Sequence, residues 1–326
     1  MNHIRKPIGS DDAKISGACR FWGAMLVPLL MAAQASGGNS ADQVTTQTKS
    51  KGTLMDSYNG DSKKIRGYAP VNGLKMYYEI EGTGDPLVYI PPVFGFAGLK
   101  SFPALIQSNK VITMDLQGRA RTADILERPL SIEQDAKDVV GLLKHLGISK
   151  ADFFGESYGG NTAAVIAARC PELVRRVATY GATFGPPQTA INPETGPSKH
   201  PAAESSYMEF QRDSYKKVAP DPDYWPRIFD KIDNIQWEGF SRDELASIKV
   251  PILIIVGDHD FVRLEHAVET FKVIPNAELA VVPDASHFVL FSEQERVISI
   301  VKHFLEKPEE RLPLGGGTGY HPGGTR

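Results

Sequence analysis

Short apolar runs recur along the middle of the chain, separated by stretches whose apolar positions follow a helical spacing. Residues 87–90, 111–116 and 151–154 are largely apolar runs of a length suited to strands buried on both faces. Residues 177–180, 252–256 and 279–282 read the same way, and residues 74–80 fit a strand that begins the sheet. Between them, residues 131–146 carry Ile132, Ala136, Val139, Leu143 and Leu146 on one stripe, behind a Ser131-x-x-Gln134 capping box. Residues 163–170 read as a further helix. Strands that alternate with helices predict an α/β fold, with a mainly parallel central sheet and helices on both faces.

The alternation breaks over residues 185–247. Pro186, Pro187, Pro193, Pro197 and Pro201 make a breaker-rich entry, after which residues 207–218 and 224–236 look helical. This insert is rich in aromatics, among them Tyr207, Phe210, Tyr215, Tyr224, Trp225, Phe229, Trp237 and Phe240. Most are expected to pack the insert onto the sheet. The rest suit a helical lid whose inner face lines an apolar pocket.

The ends of the chain follow no such pattern. Residues 1–20 are net basic, residues 21–33 run apolar, and Ala33-Gln34-Ala35 is a small-x-small cleavage site before Ser36. Residues 1–35 therefore read as an export signal, with a periplasmic or secreted destination; an uncleaved anchor is the alternative. The apolar run is short for a bilayer and Pro28 interrupts it, so no stable span is expected in the mature form. Residues 36–64 are polar and expected to be a disordered linker, and the glycine-rich residues 312–326 a disordered tail. That leaves residues 65–311 as the folded domain. Of the two cysteines, Cys19 precedes the expected cleavage, so Cys170 is expected to remain as a lone, packed thiol.

Over 326 residues, 41% hydrophobic and 23% charged content is that of an ordinary globular protein able to bury its own core. A formal net charge of −3 and the lack of a basic block argue against nucleic acid as a partner. Nothing in the pattern sets an oligomeric state.

The chemistry concentrates in three places. Gly155-Glu156-Ser157-Tyr158-Gly159-Gly160 follows a buried strand and opens a helix. A Gly-x-Ser-x-Gly match is weak alone, but a strand-to-helix turn needs minimal side chains at Gly155 and Gly159 and would project the Ser157 hydroxyl from the sheet edge. The Tyr158 amide, at the helix start, would then point toward a developing oxyanion.

A serine hydroxyl needs a base. Of the eight histidines, His287 follows a late strand and the turn 283–286, at the edge where ligands approach parallel sheets. The base in turn needs a carboxylate to fix its tautomer. Asp258 and Asp260 both follow the strand 252–256, and chemistry alone admits either. Asp260 is favoured, because Asp258 sits where it can cap its own turn.

Together these segments resemble the α/β-hydrolase superfamily in its esterase, lipase and haloperoxidase-like branch, over roughly residues 65–308. The order Ser157, Asp260, His287 is the order of the triad on that fold. Residues 114–122, Met-Asp-Leu-Gln-Gly-Arg-Ala-Arg-Thr, are similar to the family's loop after the fourth strand, with Arg119 and Ala120 departing from the common Gly-His-Gly-Arg-Ser. Family members commonly place His-Gly after the strand matching residues 87–90, and the next residue gives an oxyanion amide. Pro91-Pro92 stands there in this chain, so the resemblance implies Val93 as the second donor beside Tyr158.

The expectation is a serine hydrolase acting on an ester or lactone with an apolar portion, needing no cofactor or metal. Serine at the elbow argues against the relatives with an aspartate nucleophile. Peptidase, carbon–carbon hydrolase and perhydrolase chemistry, or a ligand-binding protein on the same scaffold, remain alternatives.

Overall fold

The computed structural model describes residues 64–194 and 201–307, with the side chains of 201–205 excluded. The expected leader, the linker up to residue 63 and the tail lie outside the described residues.

Two antiparallel strands, β1 (Ile65–Val71) and β2 (Leu74–Glu81), open the chain, followed by β3 (Asp85–Ile90) and a short α1 (Pro103–Ile106). Then come β4 (Asn109–Met114), α2 (Ile132–His145), β5 (Ala151–Glu156), α3 (Tyr158–Arg169) and β6 (Val174–Tyr180). The insert holds α4 (Pro187–Ala190), α5 (Pro201–Lys216), α6 (Trp225–Asp233) and α7 (Arg242–Ser247). The chain closes with β7 (Ile252–Gly257), α8 (Leu264–Val273), β8 (Ala277–Val282), α9 (Val289–Ser292) and α10 (Gln294–Leu305).

All eight strands form one sheet in the order β1-β2-β4-β3-β5-β6-β7-β8. β2 pairs antiparallel with β1 and β4, and every other pairing is parallel. The chain steps from β3 outward to β4, then crosses back to β5 on the other flank. The loops after β3 and β5 therefore leave the sheet side by side, at the switch point where α/β sheets bind ligands. Register fixes this meeting place, since Ile90 pairs with Gly155, and Glu156 with Tyr180.

β5 and β7 are buried along their whole length, so neither alternates apolar with polar; β7 is apolar throughout, while β5 also buries Asp152 and Glu156, paired with Arg175 and Lys100. Phe153 and Phe154 are fully buried in β5. Truncating either to alanine would cost about 3–5 kcal/mol. The paired termini of these strands thus form a stiff base for whatever their loops carry.

Several expectations need correction. The sheet begins with β1, not with residues 74–80; Gly67 and Pro70 break its strand signature, and Pro70 is tolerated because β1 is an edge. The helix after β5 starts at Tyr158, as the turn motif implies, and ends at Arg169, so the apolar stretch 163–170 marks only its later part. Only half of the capping box forms: Ser131 accepts from the Gln134 amide at 3.1 Å, while the Gln134 side chain donates to Asp138 instead. Cys170 is fully buried, as expected of a packed cysteine, and disulfide-bonded in the full-length chain, whereas the lone thiol is expected of the cleaved one. That expectation assumed a chain already without Cys19.

The insert is held over the loops by an aromatic seam and a polar latch. Phe94 packs on Trp225 at 5.5 Å and stacks on Phe229 at 5.7 Å between ring centroids. Tyr215, Trp225 and Ile228 join Phe96, Ala120 and Leu130 in one apolar cluster. Beside it, Lys231 donates to Asp124 at 2.8 Å and to the carbonyls of Ile125 and Arg128 at 3.0 and 2.8 Å. The Tyr224 hydroxyl also donates to Asp124. Burial works to raise the Asp124 pKa, but the bonds from Lys231, Tyr224 and Gln117 outweigh it and hold the carboxyl below its ordinary value. A cavity of about 190 Å³ lies between this loop and the insert, lined in part by Tyr215 and Tyr224 but by no residue of the expected triad. No helix of the described residues is long and apolar enough to cross a membrane.

Candidate active site

The turn between β5 and α3 carries Ser157 with φ 54° and ψ −117°, a conformation that L-residues rarely adopt. Its amide is fixed by the Tyr180 carbonyl at 2.7 Å. The turn closes tightly because Gly159 lies against the loop after β3: a Cβ there would overlap the carbonyl oxygens of Ile90 and Pro91. The side chain of Glu156 is buried and accepts from the Tyr89 hydroxyl at 2.8 Å and from Lys100 at 2.5 and 2.6 Å.

His287 reaches Ser157 from the loop after β8. Its Nε2 lies 3.0 Å from the Ser157 Oγ, and its Nδ1 lies 2.9 Å from the Asp260 Oδ1. Asp260 and His287 are both buried, so little water competes for these contacts. Asp260 is itself steered by the Val262 amide, which donates to the same Oδ1 at 2.9 Å. Phe261 lies over the His287 ring at 3.9 Å between centroids, and Phe288 meets that ring edge-on at 5.7 Å. Gly181, with φ +63°, clears the remaining side, where a Cβ would stand 2.7 Å from His287 Nδ1. The imidazole is therefore wedged between ring, backbone and carboxylate, which limits it to one orientation.

The structure brings together Ser157, Asp260 and His287, residues far apart in sequence. Asp258 turns elsewhere and accepts from the Ala285 amide at 3.1 Å, holding the turn before His287. His266 hydrogen-bonds the Thr183 carbonyl, and burial lowers its pKa. Among the described residues no three His, Cys, Asp or Glu side chains gather as a metal site.

The other side of Ser157 is built less directly. Tyr158 is the first residue of α3, where an amide has no partner within the helix. Val93 lies in the loop after β3, two residues beyond the contact with Gly159. Arg119, in the loop after β4, donates from Nε to the Val93 carbonyl at 3.1 Å and from Nη1 to the Gln117 carbonyl at 2.8 Å. Its Nη2 lies 3.3 Å from the Asp135 Oδ2, which also accepts from the Tyr158 hydroxyl at 2.7 Å. Arg119, Asp135 and Tyr158 are all buried. Burial raises the Asp135 pKa against the opposing pull of Arg119.

Sequence reasoning missed Lys100, Asp135 and the role of Arg119. Arg119 stood out only as a departure from the family loop. Asp135 lies in the first turn of α2, where an acidic residue carries no signal of its own, and nothing local marks Lys100.

Comparison with known proteins identifies the family. Residues 82–300 match the model of the alpha/beta hydrolase family. The chain is similar to human serine hydrolase BPHL (Homo sapiens), 26% identical over 72% of this chain and 84% of that protein. It is also similar to 2-hydroxymuconate semialdehyde hydrolase of Pseudomonas putida, 24% identical over 73% of this chain and 92% of that one. Among solved structures, the enol-lactonase from Burkholderia xenovorans LB400 superposes with a TM-score of 0.58 at 26% identity, covering 74% of this chain and 100% of that one. A family match over most of the chain, on an eight-stranded sheet of this topology, makes the protein a member of the alpha/beta hydrolase family and a hydrolase.

Proposed function

We propose that the protein is a serine hydrolase that cleaves an ester or lactone through a covalent acyl-enzyme. The observation that carries this reading is the unbroken chain Asp260–His287–Ser157, with contacts of 2.9 and 3.0 Å. His287 Nε2 removes the Ser157 proton as Oγ attacks the carbonyl carbon, and the carbonyl oxygen takes up the electron pair. Asp260 stabilises the imidazolium, and the amides of Tyr158 and Val93 receive the oxyanion. Collapse breaks the bond to the alkoxy oxygen, which leaves with the proton from His287. Water, deprotonated by His287, then attacks the acyl carbon and frees Ser157.

The enol-lactonase and the serine hydrolase among the similar proteins favour this reading. The aromatic seam of Phe94, Trp225 and Phe229 favours a substrate with an apolar portion. The similarity to 2-hydroxymuconate semialdehyde hydrolase favours a second reading, hydrolysis of a carbon–carbon bond at the same triad. A fluorophosphonate probe with intact-mass detection tests the nucleophile: one adduct on Ser157 is expected, and none in Ser157→Ala. A panel of p-nitrophenyl esters, lactones and a vinylogous 1,5-diketone then separates the two chemistries; turnover confined to the diketone overturns the ester reading.

Export is proposed from the leader. A chain cleaved after Ala35 lacks Cys19, the only other cysteine, and so has no internal partner for Cys170. The N-terminal residue of the exported protein decides this: Ser36 is expected, and a retained leader contradicts cleavage.

A further inference from the structure

We infer that Arg119 and Asp135 are positioning residues that lock the two oxyanion donors to each other. This rests on the serine-hydrolase reading above and adds a cause for the geometry of its least direct part.

The oxyanion amides come from separate segments, the loop after β3 and the start of α3. Two donors stabilise a tetrahedral oxygen only if both lie about 2.7–3.1 Å from it at once. A loop that opens with Pro91-Pro92 has no N–H at either proline for a hydrogen bond of its own. Its own turn closes one step further on, where the Gly95 amide donates to the Pro92 carbonyl at 2.7 Å, and Val93 itself is held from outside the loop. The guanidinium of Arg119 holds the Val93 carbonyl at 3.1 Å, which orients the peptide that follows Val93 and, through the residue's φ and ψ, the amide that precedes it. The same guanidinium faces Asp135 at 3.3 Å, and Asp135 accepts from the Tyr158 hydroxyl at 2.7 Å. Arg119 is also seated against the Tyr158 ring, 5.4 Å from its centroid. A continuous buried path thus runs from Val93 through Arg119 and Asp135 to Tyr158.

The residue types suit this task. Arginine presents several donors in one rigid plane and stays charged when buried, so one side chain can hydrogen-bond the Val93 and Gln117 carbonyls while its charge pairs with Asp135. Lysine, a single point charge, could not hold three directions. A histidine, common at this position in the family, carries only two ring nitrogens. Neither Arg119 nor Asp135 hydrogen-bonds His287 or Asp260, whose side-chain hydrogen bonds run to each other and to Ser157 and Val262, so the path is set to act on the oxyanion and not on the base.

The test compares Arg119→Gln and Tyr158→Phe with wild type on one p-nitrophenyl ester and one fluorophosphonate. Tyr158→Phe removes a single hydroxyl and keeps the backbone amide, so it decides the matter if Arg119→Gln fails to fold by circular dichroism. A lost or misaligned oxyanion donor costs about 10²–10³ in kcat, so Arg119→Gln should lose at least about tenfold and Tyr158→Phe about threefold. KM should stay within about twofold, and the phosphonylation rate should fall in step with kcat, because both reactions build negative charge on the same oxygen. The pH midpoint of kcat/KM should not move, since His287 is untouched. Wild-type kcat and labelling in both folded variants, or a change in KM alone, overturns the positioning role. A wild-type protein that is never phosphonylated at Ser157 overturns the serine-hydrolase reading itself, which is a distinct result.

Discussion

The two sides of Ser157 are held by different means. On the base side, Asp260 and His287 stand on loops that leave adjacent parallel strands, and each contact in the chain is direct. On the oxyanion side, the loop after β3 is tied down by charges from other elements: Arg119 at Val93, and Glu156 of β5 at the loop's own Lys100. Strand register sets the first arrangement. The second depends on buried ion pairs that bracket the nucleophile, with Glu156 and Tyr158 as its immediate neighbours. Direct contacts fail all at once when one member is lost, whereas relayed ones degrade by steps.

That difference can be broken from either side. Removing the base should have the largest effect: His287→Ala lowers kcat by roughly four powers of ten or more with the fold intact, and Asp260→Asn by a similar or smaller factor. Steady-state kinetics beside a melting curve checks both. Near-normal activity in His287→Ala would place the base elsewhere.

On the other side, Lys100→Met leaves the buried Glu156 without its cation and should cost about 3–5 kcal/mol of stability. The double variant Lys100→Met/Glu156→Gln should recover much of it, because the stranded charge is gone. Denaturant midpoints of the four proteins in the cycle measure the coupling; additive losses would show that the pair is not a unit.

The smallest effect concerns the latch of the insert. Lys231→Met should lose roughly 1–3 kcal/mol, given its charged hydrogen bonds to Asp124. Because the folded Asp124 pKa is depressed, its contribution is present above its unfolded value near about 4 and lost as pH falls through the folded one. The gap between wild type and Lys231→Met should therefore close in acid. Melting temperatures at pH 7 and pH 3 test this, and a gap that widens at pH 3 contradicts it.

The same contrast explains what the sequence disclosed. β5 and β7 were legible because strands buried on both faces have no alternation to obscure them, and their loops carried Ser157 and Asp260 in recognisable company. His287 was legible from its place after a late strand. β1 escaped notice because Pro70 is permitted only by its position at the sheet edge, which is a tertiary fact. Arg119, Asp135 and Lys100 share one reason for escaping: each acts on a partner in a different element, 16 to 56 residues away, and no local pattern announces such a pairing.

The central claim is that Ser157 carries the acyl group. Reaction with a p-nitrophenyl ester, quenched in acid within one turnover and mapped by peptide mass, tests it most directly. An adduct of the acyl mass on the peptide holding Ser157, absent from Ser157→Ala, is the result expected. Turnover that persists in Ser157→Ala, or an adduct found on another residue, would contradict it.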